Sequence, residues 1–122
     1  ASFIAQSMAD RMRANPHAVW LNSYNATYPT ADLNPCLGGV ACSYTDIATG
    51  DRQMWSQQLT DLLPPGVTAD ITCTQTAGIA AVNLAANPPY NGLCAMHVNW
   101  SESSLNLGTS ATTQTFAWVF QP

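Results

Sequence analysis

Two alternating runs, one ending and the other beginning on a cysteine, constrain this chain more than any other feature. Val67, Ala69, Ile71 and Cys73 alternate with Thr68, Asp70, Thr72 and Thr74, and Cys94, Met96, Val98 and Trp100 alternate with Ala95, His97, Asn99 and Ser101. A period of two is the signature of an antiparallel strand with one buried face. Setting Cys73 opposite Cys94 brings Ile71 against Met96, Ala69 against Val98 and Val67 against Trp100. One register thus gathers the apolar residues of both strands on one face and brings two cysteines together. A slip of one residue would destroy both features. The expectation is a Cys73–Cys94 bridge joining two paired strands.

A further strand, Thr113 to Gln121, sets Phe116, Trp118 and Phe120 on one face. The polar connection from Glu102 to Thr112 places it beside Leu93–Ser101. Between the first two strands, Ala77 to Gly92 is an insertion with a small apolar run, Ile79 to Ala86, that could hold a short strand. It closes in a turn at Asn87-Pro88-Pro89-Tyr90-Asn91-Gly92.

The N-terminal part is helical. Ala1 to Asn15 is rich in helix formers and halts at Pro16, which disfavours helical geometry in the residue before it. Ala1, Ile4, Ala5, Met8, Ala9 and Met12 share one arc, and Gln6, Ser7, Asp10 and Arg13 lie opposite. No capping box opens the pattern. The expectation is the C-terminal half of a longer helix with an apolar segment upstream. A second helix is expected from about Asp51 to Leu63, because Trp55, Leu59, Leu62 and Leu63 make one apolar stripe. Asp51 or an earlier Thr or Asp could cap it, and Pro64-Pro65-Gly66 stops it. His17 to Thr45, rich in Asn, Pro, Tyr and Gly, lacks a sustained period and is expected to be irregular. Cys36 and Cys42 would close it into a small loop around Gly38-Gly39. The fold class that follows is α+β: an N-terminal helix on an antiparallel sheet of three or four strands, with a second helix in the connection. Residues 1–15, 16–66 and 67–122 form its three parts within one domain.

Composition narrows the function classes. The 122 residues carry three Lys or Arg, all arginine, and a net charge of −4, so the basic footprint of a nucleic-acid partner is lacking. No run approaches the ~20 apolar residues of a membrane span. The spacing of Cys36 and Cys42 is not that of a C-x-x-C redox or zinc motif, and four cysteines in so small a chain point to disulfides and an oxidising compartment. His17 and His97 lie far apart, outside any ligand pattern, and the seven carboxylates fall in no catalytic spacing. No cofactor, metal or catalytic residue is expected.

These residues carry a resemblance. Ile4 to Pro16, IAQSMADRMRANP, is similar to the end of the long helix in the PilV-type minor pilins of type IV pili. Asp51-x-x-x-Trp55, followed by Leu59, Leu62-Leu63-Pro64-x-Gly66, is similar to that family's D-x-x-x-W…L-P-x-G segment. Val98-Asn99-Trp100 resembles its V-x-W strand end. The match touches about a third of the chain and omits both the loop of Cys36 and Cys42 and the 77–92 insertion. It implies a non-enzymatic subunit that helps prime pilus assembly and sits at or near the tip. The missing apolar half of the helix would be the inner-membrane anchor before assembly and part of the extracellular fibre afterwards. The implied partners are other minor pilins and the major pilin. Two other readings of the sequence are a minor pseudopilin of type II secretion and a secreted, disulfide-stapled adhesin.

Candidate contact residues follow from the helix. Phe3 departs from the apolar stripe and lies at the angle of Gln6, Ser7 and Asp10, where a neighbouring subunit could cover it. Asp10, Arg11 and Arg13 form a charged cluster on the same helix, holding two of the three cations. Trp55, Trp100, Phe116, Trp118 and Phe120 are expected in the core. Trp20, Tyr24, Tyr28, Tyr44 and Tyr90 sit among Asn, Pro and Ser, as recognition anchors or as packing onto the sheet, with packing favoured.

Overall fold

The computed structural model describes residues 2–36, 42–75, 88–102 and 112–122. Helix α1 (Ser2–Arg13) buries Ile4, Ala5, Met8, Ala9 and Met12, the stripe its sequence period predicts. Its axis is pinned to α3 (Tyr44–Leu62), where Trp55 is fully buried and its Nε1 donates to the Ile4 carbonyl oxygen at 2.9 Å. The four strands form one antiparallel sheet in the order β1 (Ala26–Tyr28), β2 (Thr68–Thr74), β3 (Leu93–Glu102), β4 (Thr112–Phe120).

The β2–β3 register is the one read from the sequence: Cys73 lies opposite Cys94, Ile71 opposite Met96 and Ala69 opposite Val98. Val67, Ala69, Ile71, Met96 and Val98 are all buried and join the α1 stripe in one apolar cluster. Trp100 is a partial exception. The paired stretch of β2 ends at Thr68 opposite Asn99, one residue short of Val67 and Trp100, and Trp100, opposite Gln114 of β4, is half-buried at the rim. The Cys73 and Cys94 α-carbons stand 4.0 Å apart and their sulfurs are bonded, as are those of Cys36 and Cys42. Beside the first bridge, Gly92 lies so close to β2 that a Cβ on it would run into the Thr74 carbonyl group.

Two expectations need correction. The connecting helix begins at Tyr44, well before Asp51. Ser43 caps it, its Oγ accepting from the Asp46 N–H at 3.1 Å. Asp51 is therefore a buried mid-helix residue. The early turns hide their helical period because they bury small residues, Ala48 and Gly50, with a Cβ on Gly50 only 2.6 Å from Asn34 Oδ1. The segment from His17 to Thr45 is also less irregular than expected. It holds the end of α2 (Pro16–Trp20) and the edge strand β1, which pairs Ala26 with Ile71 and Tyr28 with Ala69. The core of the expected 77–92 insertion and the glycines of the Cys36–Cys42 loop lie outside the described residues.

Candidate interaction surface

Helix α1 presents two faces of opposite character. Inward residues are buried, whereas Phe3, Gln6, Asp10 and Arg13 recur at helical spacing along the outer side and are exposed. Phe3, the one large apolar member of that stripe, is 71% exposed. Arg13 Nη1 donates to Asp10 Oδ1 at 3.3 Å, an exposed pair one turn apart that contributes little to stability. Phe3, Asp10 and Arg13, three of the four candidate residues, thus share one solvent-facing stripe.

Arg11 does not belong to it. Its Nη1 reaches Asp51 Oδ1 at 3.3 Å and contacts the Met54 sulfur at 3.8 Å, tying α1 to α3. Asp51, only 7% exposed, also accepts from the Tyr24 hydroxyl at 2.6 Å. Asn15 Nδ2 donates to that hydroxyl at 3.2 Å and to the Tyr44 carbonyl at 2.9 Å. Burial pushes the Asp51 carboxyl above its ordinary range, opposed by the Tyr24 hydroxyl and by Arg11. Burial, then the adjoining Asp51 carboxylate, pushes the Tyr24 hydroxyl far up as well. This set clasps α1, the turn after α2 and α3 together. Sequence reasoning missed it by assigning Asp51 to a cap. The available signal was that the Trp55–Leu59 stripe, extended back one turn, lands on Asp51: a carboxylate on an apolar face requires partners.

The third cation, Arg52, is likewise engaged within the chain, donating from Nε to Asp32 at 3.1 Å and from Nη1 to the Ser23 carbonyl at 2.8 Å. The irregular-segment aromatics are mostly core. Trp20, Tyr24, Tyr28 and Tyr90 are buried, with Tyr28 edge-on to Trp55 at 4.9 Å and Trp20 edge-on to Tyr90 at 5.0 Å. Tyr44 differs: it is exposed and stacks on His17 with centroids 4.1 Å apart. An open groove of about 650 Å³ runs between Arg13, Pro16, Pro89, Tyr90, Gln121 and Pro122. On the outer sheet face His97 Nδ1 meets Asp70 Oδ1 at 2.9 Å across β2 and β3.

Among the described residues, no group of three His, Cys, Asp or Glu side chains is placed to hold a metal, and no helix is long and apolar enough to cross a membrane. Comparison with protein families, with curated proteins and with solved structures finds no match for this chain.

Proposed function

We propose that this chain is the head of a PilV-type minor pilin, a non-enzymatic subunit that helps prime type IV pilus assembly and sits at or near the fibre tip. The observation that carries the reading is the outer stripe of α1. Phe3 stands 71% exposed beside Gln6, Asp10 and Arg13, and packing of the head uses none of this stripe for its core. An exposed Phe aligned with polar and charged residues on the free side of a helix is a surface that a neighbouring helix can cover. The N-terminal helix on a four-stranded antiparallel sheet is the arrangement the pilin resemblance implies, and two disulfides suit folding in an oxidising periplasm. On this reading the full-length protein is anchored in the inner membrane through an apolar helix upstream of Ala1. Its head then enters the extracellular fibre against other minor pilins and the major pilin.

The test is Phe3→Ser in the full-length gene. Fewer surface pili are expected, while the thermal midpoint of the variant head stays within the range of an exposed substitution, about ±0.5 kcal/mol. Normal piliation with Phe3→Ser would remove this stripe from the assembly mechanism.

A further inference from the structure

The two edges of the sheet are treated differently. β1 is three residues long and runs directly into Pro29, so its edge is short and blunted. β4 has nine residues, TTQTFAWVF, with no charge and no proline, and no strand lies beyond it among the described residues. Natural edge strands normally carry Lys, Pro or a bulge to prevent pairing with another chain. On the core side of β4, Phe116 and Trp118 remain only half-buried, and Trp118 stacks on Phe120 with centroids 4.6 Å apart.

We propose that β4 is a strand-addition site for a second copy of this chain, pairing antiparallel about a two-fold axis through Ala117. A two-fold interface demands that the same surface fit itself. With Ala117 on the axis, Phe116 of each copy faces Trp118 of the other, and Thr115 faces Val119. Both half-covered aromatics then gain a cross-strand aromatic partner, the pairing sheets favour. The smallest residue of the strand meets itself at the axis, and core-side residues stay on the core side. Each copy carries a net charge of −4, yet no charged residue of β4 is brought against its like. The product is one continuous eight-stranded sheet, built from the four strands of each copy. Strand pairing alone buries less than the ~1,200 Å² of a stable complex, so the dimer is expected at high concentration, on the order of 100 μM. The inference stands independently of the pilin reading.

Sedimentation velocity on the 122-residue chain across a dilution series tests it. The wild type should shift from monomer towards dimer as concentration rises. Ala117 is exposed on the outer sheet face, so Ala117→Lys and Ala117→Glu should fold, which a thermal melt checks. Each should weaken dimerisation roughly tenfold or more by opposing like charges at the axis. Mixing the two should restore it. Thr72→Lys, exposed on the same face of β2, should leave dimerisation unchanged. Should an Ala117 variant fail to fold, Thr115→Lys and Thr115→Glu replace the pair; each alone sets a charge against the copy's Val119 and should weaken the dimer. A wild type that stays monomeric to ~1 mM would overturn the proposal. A dimer indifferent to the folded β4 variants, or equally weakened by Thr72→Lys, would overturn it too.

Discussion

Asp51 shows how one residue can change the meaning of a segment. Placed at a helix start, an aspartate is an inexpensive cap; placed mid-helix beneath Trp55 and Tyr24, it must be charged against burial or protonated. Its carboxyl is pushed up chiefly by burial, so the folded chain holds a proton there more tightly than the unfolded chain, whose value is about 3.9. The sign follows. The stability this titration contributes is fully present below the unfolded value and is lost as pH rises through the higher folded value. Asp51→Asn abolishes the titration. Thermal melts from pH 3 to pH 7 should therefore show the wild type most favoured over Asp51→Asn at the acid end, its advantage shrinking as pH rises. A difference that grows with pH would mean Arg11 and Tyr24 outweigh burial.

At the scale of elements, α1 divides its charges between two tasks. Arg11 faces α3 and Arg13 faces solvent, although two positions separate them and the sequence treats them as one cluster. Arg11→Glu would set a carboxylate against the buried Asp51 and should cost about 2 kcal/mol or more in urea unfolding. Arg13→Glu should stay within about 0.5 kcal/mol, as exposed substitutions do. Equal losses would mean that the clasp between α1 and α3 does not bear on stability. The same contrast explains what was legible. The β2–β3 register could be read because period two and two cysteines point to a single answer. The α1 stripe and the exposure of Phe3 could be read because twelve residues give the helical period room to repeat. β1 could not, since three residues carry no period and its pairing is set by the strand beside it. The first turns of α3 escaped because helix formation there rests on small residues and a Ser43 cap instead of an apolar stripe. The outer stripe was partly legible: helical angle groups Phe3, Asp10 and Arg13 and sets Arg11 apart beside Ile4, but only the packing shows Arg11 paired with Asp51.

For the whole molecule, the described residues share one apolar cluster, with Phe3 exposed on α1 and the outer edge of β4 left without a strand beside it among the described residues. Helix and sheet bury each other through Trp55, Met8, Met12 and Met96, and the Cys73–Cys94 bridge ties the two central strands. What remains outward on α1 is the stripe through Phe3 and Arg13, the surface a neighbouring subunit would meet in a fibre. The proposed role in priming pilus assembly can be checked by counting surface pili in a strain from which the full-length gene is deleted. A marked loss of surface pili is expected, with the major subunit still present in the cells, and recovery when the intact gene is returned. Normal piliation in the deletion strain would contradict it.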